Sequence, residues 1–281
     1  MITCLNGTFG DLENTFISPN DRGFLMADGI YEVVRFYRGR PLALDAHRAR
    51  LERGARALRF PRCDFPEFED VMTQLVRRNG LEREASATAY FQVTRGVAPR
   101  SHSFPPPDTS LTTYGFARRF QRHEDEIANG ANAMTHDDDR WAHCDIKTIA
   151  LLPNTLAHQR ARDAGAVEAL FIRDGELQEG THSNVMIGAN GRLRTPPLSP
   201  ALLAGVTRER VLGLAAELGM PCDEAPVSRA DLFAADEVML VGTTVEITPV
   251  VRIDGQTIGD GKPGALTREL QDRFLAMVDR L

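Results

Sequence analysis

The sequence predicts a mixed α/β protein built in two lobes. Short β-rich runs alternate with amphipathic helical stretches along the chain. The length of 281 residues fits one large domain or two ordinary ones. Polarity rises sharply from Ala117 onward, as expected of a boundary. Taken in order, Ile30 to Tyr37 (IYEVVRFY) reads as a strand closed by the turn Arg38-Gly39-Arg40. Leu44 to Leu58 reads as an amphipathic helix with Asp45 as its N-cap and Leu51, Ala55 and Leu58 at helical spacing. Glu67 to Asn79 is a second helix, preceded by Pro66 and stopped by Gly80. Ala85 to Thr94 and Thr109 to Phe116 read as strands. Arg118 to Asn129 is densely charged with no apolar face, which places a linker near residues 117–128 and domains at 1–120 and 121–281. Beyond it, strands are expected at Asp145 to Ala150, Glu168 to Arg173, Ser183 to Gly188, Glu237 to Val241 and Ile247 to Ile253. Helices are expected at Leu151 to Ala164, Thr207 to Gly219 and Leu266 to Leu281.

Composition narrows the class of function. Hydrophobic residues at 42% and charged residues at 26% match a soluble protein with a sizeable core. A net charge of −6 argues against nucleic acid or an anionic membrane as partner. No apolar run approaches the roughly 18 residues of a membrane helix, and Met1 to Phe16 lacks the pattern of a signal peptide. Cys4, Cys63, Cys144 and Cys222 lie far apart, so free thiols in a reducing cytoplasm are expected.

Of 33 basic residues only Lys147 and Lys262 are lysine. Arginine stays protonated and cannot form an imine, so a lysine kept under such a bias suits a site where arginine cannot substitute. Lys262 sits in the turn Gly259-Asp-Gly-Lys-Pro-Gly264. Lys147 lies among mostly apolar residues, which favour the neutral, nucleophilic amine. Spacing alone favours a lysine at a strand edge with its head in solvent. Glu179, in Leu177-Gln-Glu-Gly-Thr-His-Ser-Asn184, could turn a carboxylate into a cleft or be an ordinary loop acid. Ala204-Gly-Val-Thr-Arg208 precedes a helix whose first amides, at Val206 and Thr207, would face an anion; a plain Thr cap is the alternative. Thr243-Thr244 follows a strand and could complete a phosphate cup. Pro99-Arg-Ser-His102 is a loop whose Arg100 could grip a carboxylate bidentately, or a surface loop with no ligand. Tyr31 could present its hydroxyl or be a packed strand tyrosine. The remaining histidines, His47, His123, His136, His143 and His158, show no metal spacing, and no metal is expected.

Together these pieces resemble the class IV, fold-type IV pyridoxal-phosphate aminotransferases, and within them the bacterial D-amino acid aminotransferases. The likeness runs from about Asn6 to the C-terminus and includes Asp21-Arg-Gly23, Asp28-Gly-Ile-Tyr-Glu-Val-Val34, Tyr90-Phe-Gln-Val-Thr-Arg-Gly96, Cys144-Asp-Ile-Lys147, Ser183-Asn-Val185, Gly205-Val-Thr-Arg208 and Glu246-Ile-Thr-Pro-Val250. The resemblance implies a small N-terminal domain and a larger C-terminal domain with a barrel-like sheet, the cofactor lying at their interface. It implies that Lys147 is the Schiff-base lysine and proton shuttle, and Glu179 the partner of the pyridine nitrogen. Arg50, Val206, Thr207 and Thr243 or Thr244 match phosphate ligands, and Leu203 an apolar residue near the ring. Tyr31, Arg100 and His102 match the group that binds the substrate carboxylate, the latter two supplied by a neighbouring subunit of a homodimer. D-alanine and 2-oxoglutarate in a ping-pong reaction are the implied pair. The related activities are branched-chain L-amino acid transamination, (R)-selective amine transamination and aminodeoxychorismate lysis; a non-catalytic small-acid binder is the reading from another class. Thr181-His182 stands where the family's close members often carry small serines.

Overall fold

In the computed structural model, which describes residues 1–281, period-two alternation builds the first sheet and its core together. The elements are β1 (Ile2–Leu5), β2 (Thr8–Asp11), α1 (Arg22–Met26), β3 (Gly29–Tyr37), β4 (Arg40–Pro41), α2 (Leu44–Ala57), α3 (Phe68–Arg78), β5 (Ser86–Thr94) and β6 (Thr112–Arg119). The six strands are ordered β2-β1-β6-β5-β3-β4 and every pairing is antiparallel. Ile30, Val34 and Phe36 of β3 share one face with Ala87, Ala89, Phe91 and Val93 of β5 and are sealed by Leu51, Phe68, Met72 and Leu75 of the two helices. Each large side chain so buried stabilises by about 1.5–3 kcal/mol. On the other face Tyr31, Tyr90 and Phe116 stack in a row across three strands, at centroid separations of 5.5 and 5.0 Å. All three are half-buried.

Three local expectations are corrected. Helix α2 starts at Leu44 after Ala43 turns through a left-handed conformation (φ 52), so Asp45 lies in the first turn and does not cap. Its charge still favours the helix N-terminus there. Strand β6 occupies Thr112–Arg119 rather than 109–116, because an unbroken ladder from Ala87↔Arg119 to Thr94↔Thr112 sets its ends. Arg118 and Arg119 belong to that ladder despite their polarity. The segment 145–150 forms no strand: it makes one isolated bridge, Ile30↔Thr148, with Tyr31 N–H donating to the Lys147 carbonyl (3.0 Å) and Ile149 N–H to that of Gly29 (3.1 Å).

The chain divides into two compact units, Met1–Gln121 with Ile146–Leu151 and Leu281, and Arg122–Asp145 with Leu152–Arg280. They differ from two contiguous segments chiefly in Ile146–Leu151, which carries Lys147 and packs in the first unit. The charged stretch expected to be a linker is mostly ordered, ending β6 and then forming a short helix.

The second unit contains α4 (Glu124–Asn129), β7 (Ala131–Asp137), α5 (Leu152–Asp163), β8 (Glu168–Arg173), β9 (Glu176–Gly180), β10 (Asn184–Ala189), β11 (Arg192–Thr195), α6 (Val206–Glu217), β12 (Cys222–Glu224), α7 (Arg229–Ala234), β13 (Glu237–Gly242), β14 (Glu246–Ile253), β15 (Gln256–Thr257) and α8 (Ala265–Asp279). Its mixed sheet is ordered β12-β11-β10-β13-β14-β7-β8-β9, with β15 on β14. Strand β8 runs parallel to β7 and is buried nearly throughout, as its continuous apolar run dictates. Ala157 and Ala161 of α5 pack on Ala169 and Phe171 of β8, while Leu170, Val185, Val238, Leu240 and Val250 join a separate core. The longer elements fall within one or two residues of their expected limits, the usual uncertainty of helix and strand ends.

Candidate functional site

In the first unit the backbone at Lys147 is held along β3, and Nζ lies 4.4 Å from the centroid of the Tyr31 ring, within cation–π reach. Lys147 is half-buried. The residue after Tyr31 points the opposite way and is fully buried: Glu32 receives Arg50 Nε on Oε1 (2.7 Å) and Arg50 Nη2 on Oε2 (2.8 Å). His47 Nδ1 lies 2.7 Å from Oε2. Burial pushes the Glu32 carboxyl up, yet Arg50 and then His47 hold it far below the usual carboxylate range. The Arg50 guanidinium, expected from the resemblance to meet phosphate, is thus aimed by a bidentate pair.

Arg100 and His102 are both exposed on a loop whose backbone is pinned from beneath. Arg22 Nη1 donates to the carbonyls of Ser101 (2.7 Å) and Ser103 (3.3 Å). The Nε groups of Arg22 and Arg95 both donate to Asp28 Oδ2 at 2.8 Å, and the Arg95 guanidinium carbon lies 3.8 Å from the Phe104 ring centroid. A cavity of about 440 Å³ opens on the Tyr31 face of the sheet, lined by Ile17, Phe24, Gln92, Thr112, Tyr114 and others. Asp21 also lines it and bridges to Val97 at the root of the loop. Sequence reasoning assigned no role to Arg22, Asp28 or Arg95. Their signal was present in the fragments 21–23, 28–34 and 90–96, but nothing in spacing says that the three converge.

In the second unit Asn184 is the organiser. Glu179 Oε1 receives Arg140 Nη1 at 2.5 Å, and Oε2 receives the Leu203 N–H at 3.0 Å and Asn184 Nδ2 at 3.5 Å. Arg140 is itself held by Asp138 (2.8 Å) and by the Ala201 carbonyl (3.0 Å). Asn184 Nδ2 also donates to the Leu203 carbonyl at 2.9 Å. A side chain at Gly205, the residue before α6, would collide with the Asn184 amide oxygen, so only glycine lets the helix start so close. Val206 and Thr207 are buried in the first turn of α6, where backbone N–H groups have no intrahelical acceptor. Asn184 pairs with Val241 at the end of β13, and Thr243 and Thr244 turn from β13 into β14. The fold thus gathers Glu179, Leu203 and Gly205 about one asparagine, with Val206 and Thr207 following Gly205 in the helix and the Thr243-Thr244 turn following the strand that pairs with Asn184.

Thr181-His182 follows β9 and leads to a second buried acid. Glu168, fully buried, accepts from the Thr181 N–H (3.0 Å), the Thr181 hydroxyl and the Ser183 hydroxyl (2.9 Å). His182 Nδ1 lies 2.9 Å from Oε2 and His158 Nδ1 3.9 Å from Oε1. Chain spacing showed no metal cluster, but three separate segments bring His158, Glu168 and His182 together, with their ligand atoms within 4.8 Å of one another. Burial raises the Glu168 pKa, but His182 and the hydrogen bonds from His158, His182 and Thr181 leave it far below the usual range.

A pH dependence follows from Glu32 and Glu168. Both carboxyls have lowered folded pKa values, so their stabilisation is complete above the ordinary value of 4.5 and is lost as pH falls through the folded values. We expect the melting temperature to fall progressively below pH 4.5. A melting temperature unchanged between pH 5 and pH 3 would contradict it.

An amine on Lys147, an anchored acid at Glu179 and an anion seat at a helix start are the parts that a pyridoxal-phosphate enzyme requires. The donor set fits that group: Gly205 keeps the α6 N-terminus clear, and Glu179 is a buried carboxylate fixed by Arg140 and the Leu203 N–H. Comparison with known proteins agrees. The chain is similar to the D-alanine aminotransferase of Bacillus licheniformis, at 40% identity over 96% of this chain and 95% of that one. Its fold is similar to the branched-chain amino acid aminotransferase of Escherichia coli, with a TM-score of 0.90, 26% identity, and 99% and 94% of the two chains covered. It is also similar to the branched-chain amino acid aminotransferase of Thermobaculum terrenum in its PLP form, with a TM-score of 0.85, 26% identity, and 99% and 93% covered. Residues 29–253 match the amino-transferase class IV family, and this chain belongs to it. The protein is a pyridoxal-phosphate-dependent aminotransferase of fold type IV.

Proposed function

We propose that this protein transfers the amino group of D-amino acids, D-alanine above all, to 2-oxo acids such as 2-oxoglutarate. The observation that carries the reading is the loop holding Arg100 and His102, whose backbone is fixed by Arg22 and Arg95 through Asp28. A bidentate arginine on a rigid loop suits a substrate carboxylate, which a simple amine lacks. The likeness to a D-alanine aminotransferase along nearly the whole chain supports it.

When bound, pyridoxal phosphate supplies an electron sink for charge developing at the substrate Cα. In this reading Lys147 Nζ holds the cofactor and, once displaced by the substrate amine, takes the Cα proton as general base and returns it on the cofactor side. Glu179 accepts the pyridine N–H and keeps that nitrogen protonated, itself fixed by Arg140, Leu203 and Asn184. Val206 and Thr207 at the helix start, Thr243 or Thr244, and Arg50 hold the phosphate. Leu203 would supply an apolar contact to the bound ring, and Tyr31 would join Arg100 and His102 in holding the substrate carboxylate.

Arg100 and His102 are exposed on their own unit, as are Phe16, Phe24 and Phe104. With the half-buried ladder of Tyr31, Tyr90 and Phe116, this favours a homodimer in which each copy lends its loop to the other. No helix is long and apolar enough to cross a membrane. The four unbonded cysteines suit a cytoplasmic location.

The test is a half-reaction scan following the cofactor spectrum with D-alanine, L-leucine and (R)-1-phenylethylamine. D-alanine is expected to bleach the yellow form fastest; rapid bleaching by L-leucine with D-alanine inert would overturn the stereochemical reading. Arg100→Ala removes a charge-assisted contact worth about 1.5–3 kcal/mol. Its kcat/KM for D-alanine is expected to fall roughly 10- to 150-fold, with little change for the amine. Equal losses on both would reject the carboxylate role.

A further inference from the structure

We propose that His158, Glu168 and His182 form a divalent-cation site suited to Zn²⁺, linking helix α5 to the turn that follows β9. Glu168 is fully buried, and its ion-pair partners are the two imidazoles. A buried carboxylate is stable as an anion only when a compensating charge and hydrogen bonds face it. Each imidazole turns Nδ1, a metal-ligand atom, toward that carboxylate, and the three ligand atoms lie within 4.8 Å of one another. A divalent ion bound by all three supplies the compensating charge directly.

The geometry suits the ion. Zinc binds imidazole nitrogen and carboxylate oxygen at about 2.0–2.2 Å, which puts tetrahedral donors roughly 3.4 Å apart. The His182–Oε2 and His158–Oε1 separations of 2.9 and 3.9 Å bracket that spacing, and all three ligand groups lie within 4.8 Å of one another, so side-chain rotations of about 1 Å complete the site. The two rings stand nearly perpendicular, at 87° with centroids 5.3 Å apart. The side chains of His158 and His182 are 39% and 43% exposed, which leaves a path for the ion and a place for water as fourth ligand.

The surroundings also have the form of a metal site. Thr181 and Ser183 donate to Glu168 and fix its orientation, as outer hydrogen bonds orient a ligating carboxylate. Asn154 of α5 donates to the Thr181 carbonyl (2.8 Å), so the elements carrying the three ligands are already joined. Glu179 lies two residues before Thr181, so an ion here stiffens the segment that bears the cofactor's acid.

The test uses chelator-treated, pyridoxal-phosphate-loaded protein titrated with Zn²⁺ alone by calorimetry, and with Co²⁺ to read coordination from its visible spectrum. One Zn²⁺ per chain is expected, with the intense visible bands of four-coordinate cobalt. Saturation at about a hundredfold over Kd should raise the melting temperature by roughly 5–10 °C. His158→Gln and His182→Ser should each weaken binding at least tenfold. His158 is half-exposed and His182 exposed, so both variants are expected to fold, which circular dichroism checks. His158→Gln is expected to keep its zinc-free transamination rate. Less than 0.3 equivalents bound, or an affinity unchanged in the double variant, overturns the site.

Discussion

Lys147→Ala is expected to abolish transamination, lowering kcat by more than about 10⁴-fold, because the proposed mechanism makes one group both covalent anchor and proton carrier. Stopped-flow spectra with D-alanine separate the two duties: the variant takes up pyridoxal phosphate, lacks the absorbance of the lysine-bound form, and scarcely moves the Cα proton. Lys147→Arg should not rescue it, since a guanidinium neither loses its proton nor forms an imine. The fold should survive. Nζ meets the Tyr31 ring at 4.4 Å and is half-buried, so its loss costs about 0.5–1 kcal/mol of stability. Retention of even 10% of the wild-type kcat would reject the assignment.

Glu32→Gln is expected to be the most damaging single change to stability. It leaves Arg50 buried beside a neutral amide, and breaking such a pair from one side costs about 3–5 kcal/mol. For a chain of this size that corresponds to a fall of roughly 6–20 °C in the melting temperature. The acid-induced loss of stability should also flatten, since the variant lacks one of the two carboxyls whose lowered pKa produces it. A fall of less than 2 °C would show that Arg50 finds equal compensation elsewhere. If Arg50 also holds the phosphate, the affinity for pyridoxal phosphate should drop in parallel.

What could be read from the sequence, and what could not, divides along physical lines. Strands such as Glu168–Arg173 were legible because continuous burial leaves a continuous apolar run. The pair Ile2–Leu5 and Thr8–Asp11 was missed because β2 is mostly exposed and shows no pattern. The late end of β6 was hidden for a related reason: Arg118 and Arg119 keep their place through ladder hydrogen bonds, which composition does not encode. Among the residues proposed for the site, Lys147, Glu179 and Thr207 stand out in the sequence as a rare lysine, a turn acid and a helix start. Their supports do not. Asn184 joins Glu179, Leu203 and Gly205 across 5, 19 and 21 positions of sequence, and Glu168 meets His182 only because β8 and β9 are neighbours. Such convergences are properties of the fold, and residue type announces them only after the fact.

The double anchoring of Asp28 by Arg22 and Arg95 has a thermodynamic consequence for substrate capture. A loop that becomes ordered only on meeting its ligand loses conformational entropy at that moment, about 1–2 kcal/mol for each backbone residue fixed. Here the backbone around Ser101 and Ser103 is fixed when the chain folds, so that loss belongs to folding rather than to binding. Capture of a small carboxylate, which offers few atoms with which to offset an entropic cost, is thereby left with most of its contact energy.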